Sequence, residues 1–133
     1  MIINVQRLEA PKKIDEFSLQ PPRIRKDRID YLINELNNDP TAIAYILEQF
    51  TRNTTRKQIE QKVNNIFAAF RFRKYPIDRV KLFIAKGNEN LTTYWIAPQG
   101  ATMPPLGDDA VEINAHTYKQ DLAKIFAQKR RKT

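Results

Sequence analysis

TRKQIEQKVNNIFAAFRF, residues 55–72, is the stretch around which the chain is organised. Ile59, Val63, Ile66, Phe67 and Phe70 recur at steps of three and four, which places them on one face of an α-helix. At about 100° per residue the opposite face carries Lys57, Gln61, Asn64, Asn65 and Ala68. Thr55 and Gln58 have the spacing of a capping box, so the helix has a defined start. Phe67 and Phe70 fall on the apolar stripe and are expected in the core. Phe72, on the polar side, and Tyr75 are expected to be exposed among Arg71, Arg73 and Lys74.

Working outward, the residues before this helix read as a second helix. Asp39 suits an N-cap and Pro40 the first helical position, and Ile43, Ile46, Leu47 and Phe50 trace a helical stripe. A polar turn, Thr51-Arg52-Asn53-Thr54, joins the two. Further upstream, Ile29, Leu32, Ile33 and Leu36 predict a helix over residues 24–38, whose charges balance. Residues 1–22, broken by Pro11, Pro21 and Pro22, read as an extended arm, with Ile2, Ile3, Val5 and Leu8 available for a short edge strand.

After Phe72 the period changes to two. Val80, Leu82 and Ile84 alternate with Lys81, Phe83 and Ala85, a Gly87-Asn88-Glu89-Asn90 turn follows, and LTTYWIA (91–97) reads as a returning strand. Residues 98–116 form a linker loop. A last amphipathic helix starts near Thr117, carries Tyr118, Leu122, Ile125 and Phe126, and ends in the basic run Lys129-Arg130-Arg131-Lys132.

Composition narrows the function classes. The chain has 133 residues, a formal net charge of +8 and a sequence pI near 9.8, a balance that favours polyanionic partners. Residues 51–74 carry seven cations and one acid, and residues 117–133 six and one, so the excess is confined to two places. With no cysteine there is no disulfide scaffold, cysteine-ligated zinc or cysteine nucleophile. Three glycines leave no phosphate-cradling loop or dinucleotide fingerprint. His116 reads as a cap or surface residue. Asp108, Asp109 and Glu112 have the chemistry of paired oxygen ligands, but acids just before a helix are also expected from its dipole. The expectation is therefore a non-enzyme with no cofactor and no metal. No apolar run is long enough to span a bilayer and no signal peptide is evident, so an intracellular location is expected, cytoplasmic or nuclear.

Helix, helix, turn, basic helix and β-hairpin, in that order over residues 25–97, resemble the winged helix-turn-helix DNA-binding superfamily. The resemblance implies a mostly α fold with a small β-hairpin (α+β), in which residues 23–97 form the DNA-binding domain and residues 117–133 add a C-terminal basic helix and tail. It implies that helix 55–72 enters the major groove through Lys57, Gln61, Asn64 and Asn65. The wing would add Lys86, Asn88 and Asn90. Arg52, Arg56, Lys62, Arg71, Arg73 and Lys74 are expected to neutralise phosphates. The expected role is double-stranded DNA binding in transcriptional regulation, by a homodimer joined through helix 117–129 or the N-terminal arm. Small size and plainness suit a virus, plasmid or mobile element. The alternatives are a protein-contact subunit of a nucleoprotein assembly and a protein that binds RNA or single strands.

Overall fold

The computed structural model describes residues 10–131, with the side chains of Pro22 and of the residues from Gln128 onward left out. Five strands and three helices follow one another as β1 (Lys12–Phe17), α1 (Pro22–Asn37), β2 (Ile43–Phe50), α2 (Arg56–Phe72), β3 (Val80–Lys86), β4 (Leu91–Ala97), β5 (Val111–Ile113) and α3 (Tyr118–Arg131), with one 3-10 turn at Ile77–Arg79. The strands form a single mixed sheet in the order β1-β4-β2-β3-β5. The fold is α+β, with a sheet too large for a winged helix-turn-helix, and that expectation is overturned.

Residues 43–50 cause the difference. They form a strand where a helix was expected, so no helix-turn-helix exists. In IAYILEQF, the side chains of Ala44, Ile46 and Phe50 enter the core beneath the helices, while Leu47, with Tyr45 packed beside it, enters a second cluster on the opposite sheet face. A strand covered on both faces loses its polar–apolar alternation, and its apolar residues then match a helical stripe as well. Asp39-Pro40 caps no helix. The Ala42 amide donates to the Asp39 carbonyl, closing a turn, and the Asp39 carboxylate accepts from the Thr41 amide and hydroxyl.

The two strands expected as a wing both exist, but they do not pair. β2 lies between them, parallel to β3 and antiparallel to β4. Residues 87–90 therefore pass over the end of β2, where the Gly87 amide donates to the Phe50 carbonyl. A Cβ on Gly87 would come within 3.1 Å of the Gln49 Cβ, which explains glycine at this crossing. Asn90, assigned to the wing, instead accepts hydrogen bonds from the Thr51 amide and the Thr54 hydroxyl.

Part of the expected N-terminal arm is β1, an edge strand against β4 with an irregularity in register between Lys13 and Asp15. The strand expected of Ile2, Ile3, Val5 and Leu8 lies outside the described residues. The linker also contributes to the sheet, as β5 beside β3, and its Leu106 is buried against Leu47, Phe83 and Ala85.

All three helices add to the core on one face of the sheet: Ile29, Leu32 and Leu36 from α1, five apolar residues of α2, and Leu122 from α3. Helix α3, expected to serve dimerisation, thus has its apolar side used within the chain. The capping box of α2 is present with both hydrogen bonds. At its other end Tyr75 donates its amide to the Phe70 carbonyl and Lys74 its amide to the Arg71 carbonyl, with Lys74 left-handed at φ 54°. Tyr75, expected to be exposed, is half-buried against the Phe70 ring. Phe72 is 86% exposed, as expected. Arg79 fastens the sheet to α1: its guanidinium donates to the carbonyls of Leu36, Asp39 and Ala42 and to the Tyr75 hydroxyl.

Phe67→Ala or Phe70→Ala should cost about 3–5 kcal/mol in urea unfolding, as for buried aromatics. Phe72→Ala should stay within about 0.5 kcal/mol of the parent, as for a surface site.

Candidate nucleic-acid interface

Nine of the sixteen α2 positions before Phe72 are polar, and the fold divides them among three settings. Helix α1 contacts β2 and β4, while α3 contacts α2 and β5, so α2 is the middle helix of the layer. Neighbouring helices pack about 8–10 Å apart, whereas a major groove about 12 Å wide admits one helix. Helix α2, with α3 packed against it and α1 on its other side, does not stand alone as a recognition helix does.

Lys62 is the clearest correction. It is buried, and its Nζ lies 3.0 Å from the Glu48 carboxylate on β2. Glu48 is 1% exposed and sits beside Thr92, its cross-strand partner on β4, whose hydroxyl contacts both carboxylate oxygens at 2.8–2.9 Å. Burial pushes the Glu48 carboxyl up from its ordinary range, and the nearby Lys62 and Thr92 oppose the rise. Lys62 therefore neutralises an internal acid and is no phosphate contact. Sequence could have flagged Glu48, the one charge in an otherwise apolar stretch, but not its partner.

Two further expected phosphate contacts are engaged internally. Arg73 pairs with Asp30 and donates to the carbonyls of Ala69 and Lys26. That hydrogen bond holds the Asp30 carboxyl below its ordinary range. Arg56 pairs with Glu60 at 2.7 Å, and its guanidinium lies 5.3 Å from the Phe126 ring centre. Arg52, Arg71 and Lys74 are exposed, as are Lys86 at the end of β3 and Asn88 beyond it.

The groove-reading set is also split. Asn64 accepts a hydrogen bond from the Tyr118 hydroxyl of α3, and Lys57 lines the depression between those helices. Gln61 borders that depression and also, with Asn65, a cleft of about 290 Å³ between α1 and α2. Arg25, Lys62, Gln58, Thr54 and Asn90 complete its polar wall, with Leu19 and Phe50 as apolar members. A second hollow of about 410 Å³ contains Arg25, Lys26, Ile29, Asn65, Ala68, Ala69, Phe72 and Arg73. Arg25 and Asn65 belong to both, so the two form one trough running beside α2 from Asn90 to Phe72. Arg25 and Lys26, which the balanced charge of α1 had hidden, are the residues that sequence reasoning missed.

Of the acidic residues near the last helix, Asp109 has a structural contact: its carboxylate accepts the Lys86 amide. At the start of α3, the Asp121 carboxylate accepts from the Thr117 hydroxyl and the Asn114 amide. Among the described residues no group of three or more potential ligands is placed to hold a metal ion, and no helix is long and apolar enough to cross a membrane. The side chains of the basic run 129–132 lie outside the described residues. Comparison with protein-family models, with curated proteins and with solved structures finds no match to this chain.

Lys62→Met should cost about 3–5 kcal/mol, because it leaves the Glu48 acid buried without its partner. Adding Glu48→Leu should recover much of that loss in the same urea measurements. With its pKa raised on folding, Glu48 binds its proton more tightly in the native state than in the unfolded chain. Its contribution to stability is therefore fully present below the ordinary value of 4.5 and is lost as pH rises through the folded value. Glu48→Gln should remove this part of the pH dependence, seen as a shallower fall of the unfolding midpoint above that pH than in the parent.

Proposed function

We propose that this protein binds nucleic acid without catalysing its chemistry, holding a single strand along the trough between α1 and α2. The observation that carries the reading is Phe72, an aromatic ring 86% exposed at one end of a trough lined by cations. Among the described residues no carboxylate pairs with Lys26, Arg71 or Lys74. An exposed ring beside unneutralised cations suits strand binding, in which bases stack on aromatic faces and cations follow the phosphates. A net charge of +8 adds long-range attraction for any polyanion.

Lys74 supports the same reading. It occupies the left-handed position that ends α2, where glycine is the unstrained choice. A lysine here gives up stability and gains a cation two residues from Phe72, the kind of local strain that accumulates at functional sites.

A fluorescence titration with a ten-residue oligothymidylate, repeated over several salt concentrations, tests the proposal. Phe72→Ala should weaken binding by about 1–3 kcal/mol with the salt slope unchanged. Arg71→Gln should flatten the slope by about 0.7, the loss of one phosphate contact on a single strand. Equal binding by parent and Phe72→Ala, or stronger binding to a ten-base-pair duplex than to the strand, would reject the trough reading.

Lys74→Gly should raise stability by about 1 kcal/mol, as expected when a residue with a side chain leaves a left-handed position. The same change should flatten the salt slope. Calorimetry and the titration together check this opposition.

A further inference from the structure

The polar half of the trough has a chemistry that the strand reading does not by itself specify. Its wall is rich in donors: the Arg25 guanidinium and the side-chain amides of Gln58, Gln61 and Asn65. No carboxylate lines it. Glu48 lies beneath the wall, with its oxygens taken by Lys62 and Thr92. The Gln58 carbonyl oxygen is likewise used, by the Thr55 amide, which leaves only the donating end of that side chain. Lys62 holds Glu48 in a direct ion pair, and Arg25 acts on the same carboxyl only through space, so the two cations together outnumber the one acid beneath the cleft.

Arg25 is also unfinished as a hydrogen-bonding group. Its Nε is buried with no hydrogen-bond partner, and among the described residues no carboxylate pairs with it. A buried donor left unmet is costly, and a guanidinium is shaped to give two parallel hydrogen bonds to one anion. The position in the fold agrees. The cleft includes Phe50 and Thr54, at the carboxyl end of β2, and Gln58 in the first turn of α2. In sheets with parallel strands, ligands collect outside the carboxyl ends, and the start of a helix favours negative charge.

We infer that the Arg25 cleft is a phosphate subsite, which takes a phosphoryl group through the Arg25 guanidinium and the amides of Gln58, Gln61 and Asn65. Its assignment to nucleic acid rests on the strand reading above: the cleft fixes one phosphate while Phe72 stacks a base further along. The phosphoryl group is common to a strand backbone and to a free monoester, and the two are separated by experiment.

Side-chain amide resonances of the full chain are followed by NMR while inorganic phosphate, dTMP or thymidine is added, with ionic strength held constant by chloride. Phosphate and dTMP should shift the amides of Gln58, Gln61 and Asn65 saturably, and thymidine should not. Arg25→Gln should weaken phosphate binding about tenfold or more, as for the loss of a charged bidentate donor. If Arg25→Gln does not fold, Gln61→Glu puts a carboxylate on the wall and should weaken phosphate by a similar factor. Equal shifts with chloride alone, or undiminished phosphate binding in the variant that folds, would overturn the subsite. An oligothymidylate without terminal phosphate separates the two proposals. If parent and Arg25 variant bind it equally and phosphate does not bind, the subsite fails and the strand reading survives. Phosphate binding through Arg25 with no oligothymidylate binding leaves the subsite standing and removes the strand reading.

Discussion

Parallel pairing of β2 with β3 is the constraint from which the rest of the structure follows. Two parallel strands cannot be joined by a tight turn, so the chain must cross back over the sheet before β3 begins. Helix α2 is that crossing, and its apolar face is buried by the task. With α2 fixed above the middle of the sheet, α1 and α3 take the two sides, and hollows form where the three helices do not fill the layer. A charge on the covered face of β2 then needs a partner from above, and Glu48 finds Lys62. The trough, the buried ion pair and the loss of a free recognition face all come from one strand pairing.

Much of the local structure was legible from the residues. The capping box, the apolar stripe of α2, the stripe of α1 and the alternation in 80–86 and 91–97 each have a local physical cause, and each element is present. What failed depends on contacts distant in sequence. Residues 43–50 are apolar on both faces, so their periodicity fits helix and strand alike, and length and β-branched content were the only arbiters. The pairing of β3 and β4 looked settled by the turn between them, yet nothing in residues 87–90 says whether a third strand will lie between. The choice between a hairpin and a split pair was made by β2, which sequence reading had placed elsewhere.

The candidate site was legible in kind more than in membership. Clustering of cations around α2 was visible, as was the exposure of Phe72. Counting charges, however, treats every lysine and arginine as solvent-facing. Lys62 and Arg73 face inward or sideways to acids on other elements, and Arg79 is occupied by backbone carbonyls. In the other direction, the balanced charge of α1 concealed Arg25, whose nearest acids in sequence do not pair with it. Net charge per segment describes the field at a distance. Which cations are free is decided by tertiary packing.

The place of β1 in the sheet bears on how the chain is made. Among the described residues, 12–17 have one strand neighbour, β4, which begins at Leu91. On a ribosome adding ~5–20 residues per second, this segment waits several seconds for its partner. Through that interval Ile14 and Phe17 have no sheet to join, while an extended segment with unpaired backbone groups invites association with other chains. Pro11, the charges of Lys12 and Lys13 and the irregular register after them are features that discourage such pairing. The same features thus guard the nascent chain until β4 emerges.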